Sequence, residues 1–190
     1  MTKLILTDID DTVLNYVTPF RAWMEDRGFN PVRPYGEVYN LGQIYGIDDD
    51  KAIALIEEFT HSEGFGKLIA EPCAKEILPQ LRDEGYRFVA ISATVKTNEN
   101  RDRRMQNLAD EFGFEFEDCF CTGLRLPKTP YLESYKGKSD LWVEDNFDHA
   151  VDGAEMGHNT FIITRKYNEG MTHEKVRRVK TWHEIAEHLL

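Results

Sequence analysis

Apolar and polar positions along this chain change rhythm twice. Residues 3–7, "KLILT", form a short apolar run that stops at a cluster of aspartates, the pattern of a buried strand. Between 16 and 70 the apolar positions recur at helical spacing. "TPFRAWMEDRG" reads as a helix with Pro19 near its start and Gly28 at its end. "DDDKAIALIEEFTHSEG" reads as a second, with acids suited to its first turn. The loop between them, "FNPVRPYGEVYNLGQIYG", is rich in Pro, Gly and Tyr. From Glu71 onward strands and helices alternate. "EPCAKEILPQLRDEG" predicts a helix, "YRFVAIS" a strand, "NRDRRMQNLADEFG" a helix and "DCFCT" a short strand. "TPYLESY" follows as a short helix, "LWVED" as a strand, "DHAVDGAEMG" as a helix, "TFIIT" as a strand and "TWHEIAEHL" as a closing helix. Such alternation predicts an open, mostly parallel α/β sheet with helices on both faces. The 16–70 block interrupts it directly after the first strand. The expected division is therefore a core of 1–15 and 71–190 with a small helical cap inserted at 16–70.

Composition narrows the class. The 190 residues are 41% hydrophobic and 30% charged, enough for one good core. No apolar run approaches the roughly 18–20 residues of a membrane span, and the N-terminal run, broken by Asp8, does not read as a signal peptide. A net charge of −11 disfavours nucleic-acid backbones and anionic membranes as general partners. Cys73, Cys119 and Cys121 fit neither a zinc knuckle nor a redox CxxC, so reduced thiols and a cytoplasmic location are expected. A homo-oligomer is compatible with this composition.

The chemistry sits where predicted strands end. Ligands of a parallel α/β sheet lie beyond the carboxyl ends of its strands. There the first strand delivers Asp8 and Asp10, "FVAI" delivers Ser92, and "LWV" delivers Glu144 and Asp145. Residues i and i+2 leaving a strand share a side, so Asp8 and Asp10 should face together while Asp11 turns away. Carboxylates this close repel one another, and burying them is costly unless a cation compensates. Asp8, Asp145 and the Asp10 carbonyl would make an oxygen-only site, the preference of Mg²⁺.

These residues resemble the motifs of the haloacid dehalogenase superfamily of phosphohydrolases. "DIDDT" is similar to its DxDx[T/V] motif, "FVAIS" to its second and "LWVEDNFDHA" to its fourth. An insert between motifs one and two resembles the family's C1 cap, and the small cap with "VEDN" is similar to that of 5′-nucleotidase-like and deoxyribonucleotidase-like members. The resemblance implies a Rossmann-like core and a Mg²⁺-dependent phosphatase. It casts Asp8 as nucleophile forming an aspartyl-phosphate, Asp10 as acid and then base, and Ser92 as a phosphoryl-oxygen holder. Asp145 would ligate Mg²⁺, with Asp8, Asp10 and Glu144 in the same metal site and Asn146 and Asp148 behind; Thr12 would fix the loop. The third motif needs a lysine. Lys128 in "LPKTPYLESY" is favoured, and Lys136 and Lys138 are the alternatives. The implied substrate is a small phosphorylated metabolite, a nucleotide being the first guess.

Other motifs do not hold up. "GKS" at 137–139 lacks the partner glycine of a phosphate-binding loop, since Leu132 stands there. "HEIAEH" at 183–188 lacks the second histidine of HExxH, which would fall at Glu187. The remaining histidines read as surface residues. Half or more of the aromatic rings of 16–70 should form cap core, with two or three left to line a pocket. Rival functions are a phosphomutase and a phospho-accepting receiver-type signalling domain.

Overall fold

In the computed structural model, which describes residues 3–190, six strands form one all-parallel sheet. They are β1 (Leu4–Thr7), β2 (Arg87–Ser92), β3 (Asp118–Cys121), β4 (Leu141–Glu144), β5 (Thr160–Ile163) and β6 (Val176–Val179). Their spatial order is β3-β2-β1-β4-β5-β6, so the chain first runs outward from β1 and then returns to its other side. The order reverses at β1, which puts a crevice at the carboxyl ends of β1 and β4.

β1 pairs with β2 and β4 in parallel register, Leu6 opposite Val89 and Trp142. All four β1 residues are buried, which explains its continuous apolar run. Alternate side chains then feed two apolar layers. Ile5, Phe88, Ala90, Val143 and Phe161 face one cluster, and Leu4, Leu6, Val89, Ile91 and Trp142 face another. Helices α4 (Pro72–Asp83), α5 (Asn98–Phe112) and α8 (Trp182–Leu189) supply Leu78, Leu108 and Trp182 to the first cluster. Helix α6 (Thr129–Ser134) supplies Leu132 to the second, and α7 (Phe147–Glu155) lies against the same layer, where Gly153 allows close approach. A Cβ there would lie 2.3 Å from Trp142 Cδ1.

Between β1 and α4 the chain forms α1 (Val17–Glu25), α2 (Leu41–Tyr45), α3 (Asp49–Thr60) and a 3₁₀ turn at Gly64–Lys67. Asp48 starts α3 by accepting the Lys51 N–H at 2.8 Å. The two ends of this helical insertion are tied together: Asn15 N–H donates to the Ile69 carbonyl and Glu71 N–H to the Val13 carbonyl. Its interior is aromatic. Phe20, Phe59 and Phe65 are each 1% exposed and meet edge to face, while Tyr39 remains 58% exposed. The three phenylalanines belong to the same apolar cluster as Ile9, Phe88 and Trp182, so the packing runs unbroken from the insertion into the sheet.

Two elements carry no clear signal in the sequence. β6, "VRRV", is four residues long and half cationic, and it forms because β5 offers an open edge. Its charges are what an edge strand tolerates. α2 lies inside the Tyr-rich loop, started by Asn40, whose side chain accepts from Gln43 N–H, and ended by Gly46 at φ +63°. One expectation is corrected: His158 is not a surface residue. It is buried, its Nε2 donating to the Leu132 carbonyl at 3.0 Å and its Nδ1 accepting from the Ser139 hydroxyl.

Candidate active site

The loop after β1 is a tight turn. The Ile9 carbonyl accepts from Val13 and Leu14, and Asp11 N–H donates to the Leu14 carbonyl at 2.7 Å. Asp11 sits at φ +56°, a conformation Asp tolerates better than most residues. Its side chain accepts the N–H groups of Tyr16 and Val17 and so launches α1. Arg165 donates to its carbonyl, and the Trp182 indole donates to the Thr12 carbonyl at 2.9 Å. Asp8 stands at the mouth of this turn, its N–H donating to the Val143 carbonyl and so extending the β1–β4 ladder.

Asp8, Glu144 and Asp145 come together there. All three are buried, and a carboxylate oxygen from each lies within 4.8 Å of the others. Lys128, 2% exposed, bridges two of them, its ammonium 2.5 Å from Asp8 Oδ1 and 2.5 Å from Glu144 Oε1. Lys128 is thus the lysine at this cluster; Lys138 instead donates to the exposed Ser134 carbonyl. Burial opposes the Lys128 charge, but the two carboxylates more than offset this and hold it protonated. Burial pushes Asp8 up to about 7 despite the ammonium, with Glu144 and Asp10 adding to the rise. Asp145 is raised well above the usual carboxylate range, first by burial and then by Glu144 and Asp8. Glu144 is also buried, yet Lys128 and the N–H groups of Asp145 and Asn146, at 2.7 and 2.8 Å, keep it ionised.

Three buried carboxyl groups against one ammonium cannot all ionise without a further cation, a deficit expressed in the raised Asp8 and Asp145. An oxygen-only set with that deficit suits a hard divalent cation, so the residues present fit a metal ion held by Asp8, Asp145 and Glu144. Supporting groups fix this set. Tyr167 donates its hydroxyl to Asp145 Oδ2, and Asn168 donates to the Asp145 carbonyl at 2.7 Å.

Asp10 and Ser92 meet one another slightly apart from this cluster. The Ser92 hydroxyl donates to Asp10 Oδ2 at 3.1 Å, and Arg104 Nη2 donates to Asp10 Oδ1 and Oδ2 at 2.5 and 2.7 Å. The Asp10 carboxylate therefore points toward α5 and is not among the converging carboxylate oxygens. Thr12 Oγ1 lies 3.5 Å from Asp8 Oδ2. Asn146 starts α7 by accepting the His149 N–H, and Asp148 lies in the first turn of that helix.

Above the carboxylates a cavity of about 480 Å³ opens between the sheet edge and the insertion. Asp8, Lys128 and Asp145 line its base; Tyr16, Tyr35 and Tyr39 are among its upper walls. At its rim Arg125 pairs with Asp49 and Lys166 with Glu37, joining the insertion to loops beyond β3 and β5.

Arg104, Tyr167, Asn168 and Arg165 are absent from the sequence reading. Arg104 has a signal in retrospect, because residues 100, 104, 108 and 112 form one buried stripe of α5 on which a guanidinium is out of place. The three loop residues have no periodicity to betray them.

No protein-family model and no curated protein sequence matches the chain. Solved structures do. A haloacid dehalogenase-like hydrolase from Streptococcus pneumoniae superposes with a TM-score of 0.63 at 13% identity, over 99% of this chain and 100% of that one. CbbY from Rhodobacter sphaeroides, in complex with xylulose-(1,5)bisphosphate, gives 0.62 at 12% identity over 97% and 96%. A protein from Bacillus subtilis bound to magnesium, described as a HAD-hydrolase, gives 0.59 at 17% identity over 98% and 97%. The chain therefore has the fold of the haloacid dehalogenase-like hydrolases, a six-stranded parallel Rossmann-like α/β sheet.

Proposed function

We propose that this chain is a Mg²⁺-dependent phosphomonoester hydrolase of a small phosphorylated metabolite. The observation that carries the reading is the buried trio Asp8, Glu144 and Asp145 bridged by Lys128 at the base of a cavity, with a second acid two residues beyond Asp8. Asp8 attacks phosphorus and forms an aspartyl-phosphate while the bond to the leaving oxygen breaks, dividing one hard displacement into two. Asp10 gives the leaving oxygen its proton and later takes one from the attacking water. Lys128 neutralises charge on Asp8 and the phosphoryl group, and Ser92 holds Asp10 or a phosphoryl oxygen. A Mg²⁺ ion held by Asp8, Asp145 and Glu144 would supply further charge neutralisation for the transferring group. The insertion acts as a cap over the cavity and excludes bulk water.

The tyrosine-lined walls favour a flat leaving group, which keeps nucleotides first among substrates to test; the bisphosphate bound by CbbY makes sugar phosphates second. A dehalogenase is also among the structures of this fold, at 16% identity and a TM-score of 0.61. Halide departs without a proton, so an acid at Asp10 would have no leaving group to protonate in that chemistry. The test is a phosphate-release screen across nucleoside monophosphates and sugar phosphates, with Mg²⁺ and with chelator, beside Asp8→Asn. Release that needs both Mg²⁺ and Asp8 is expected. Full turnover by Asp8→Asn would remove the nucleophile, and transfer to a second hydroxyl without release would indicate a mutase. A long-lived phosphorylated chain would indicate a receiver.

A further inference from the structure

Arg104 is 1% exposed, and only its Nη2 is hydrogen-bonded; Nε and Nη1 are buried without a partner among the described residues. A guanidinium has five donors, and burying it with most of them idle is unfavourable. Leucine would continue the apolar stripe of Leu108 and Phe112 at lower cost. What fixes the group instead is stacking: its central carbon lies 3.8 Å from the centre of the Phe65 ring. Phe65 lies in the 3₁₀ turn that ends the insertion and packs edge-on against Tyr16 and Phe59. The chain just before that turn, where α3 ends, is clamped to α5 by Arg103, which donates to the Thr60 and Ser62 carbonyls. The face of the guanidinium thus rests on the insertion's aromatic core while its edge grips both oxygens of Asp10.

We infer that Arg104 is a positioning residue, which aims the Asp10 carboxyl for proton transfer to the leaving oxygen and ties that aim to the seating of the insertion through Phe65. This rests on the phosphatase reading above. A proton delivered by Asp10 matters when the leaving group is a poor one and little when it departs readily as an anion. Phenyl phosphate and dinitrophenyl phosphate are close in shape and differ in this respect.

The experiment compares kcat/KM, which reports phosphoenzyme formation, for the two esters in wild type, Arg104→Met and Arg104→Lys with Mg²⁺ present. General acid catalysis contributes about 10²–10⁴-fold, so misaiming should cost Arg104→Met at least about tenfold on phenyl phosphate and far less on dinitrophenyl phosphate. Arg104→Lys, which keeps charge but loses the flat stacking face, should fall between, and it supplies the reading if Arg104→Met does not fold. In an Asp10→Asn background, Arg104→Met should leave the ratio of the two rates where it is. Equal losses on both esters, no loss on either, or a full further loss in the Asp10→Asn background would overturn the assignment. Wild type that hydrolyses neither ester nor any phosphate in the screen would instead overturn the phosphatase reading, and this role with it.

Discussion

Replacing Lys128 with methionine tests the electrostatics of the site without chemistry. The methionine stem fills most of the lysine's volume, so the effect is one of charge and not of a cavity. The substitution removes the ammonium that lies 2.5 Å from both Asp8 and Glu144 and leaves three buried carboxylates within 4.8 Å of one another. Removing one partner of a buried ion pair costs about 3–5 kcal/mol, and for a chain of this size each kcal/mol lowers Tm by about 2–4 °C. Lys128→Met should therefore melt roughly 6–20 °C below wild type at pH 8 in chelator. Protonation relieves the repulsion, so the gap should narrow toward pH 5, and saturating Mg²⁺ should narrow it as well. Thermal melts followed by circular dichroism across these conditions read all three. Equal melting at pH 8, or a gap that widens on acidification, would refute the argument.

Other outcomes follow from the same structure. Asp8→Asn should melt no lower than wild type in chelator at pH 8, because burial and neighbouring acids already hold the Asp8 carboxyl up at about 7; a clear drop would contradict this. Asp11 is raised to about 6, chiefly by burial, so the folded state holds its proton to higher pH than the unfolded chain. That stability is complete below about pH 4 and is lost as pH rises through about 6. Asp11→Asn, whose amide oxygen can still accept from Tyr16 and Val17, should flatten the fall in urea-unfolding stability between pH 5 and 7, and an unchanged slope would sink the claim. Gly153→Ala drives a methyl into Trp142 and should cost about 1–3 kcal/mol in a urea melt, whereas wild-type stability would mean that α7 is free to move.

The sheet was legible in the sequence because each interior strand is buried on both faces and so appears as an unbroken apolar run, "LWV" and "FII" above all. The acids at the strand ends were legible because an aspartate directly after such a run has no structural reason to be there. Lys128 stood out less: only the fold of α6 buries it, and nothing in "LPKTP" distinguishes it from the exposed Lys138. β6 was hidden because its identity comes from the edge of β5 and not from its own residues. Tyr167 and Asn168 were hidden because they reach Asp145 from a loop, where side-chain identity follows no period. Arg104 was the recoverable omission, since a charged residue on the Leu108–Phe112 stripe conflicts with the helix's own pattern.

The aromatic interior of the insertion and the layer beneath the sheet are one body of apolar contacts, from Phe20 and Phe59 through Ile9 to Phe88 and Trp182. Such a molecule has no internal seam along which to come apart. Calorimetry should record a single endotherm whose van't Hoff and measured enthalpies agree, and deleting residues 17–67 should yield an insoluble remnant, not a smaller enzyme. Opportunity for a reactant to enter then resides in the rim, where the roof meets the loops through two surface ion pairs worth about 0–1 kcal/mol each and the edge-on contact of Tyr39 with Tyr167.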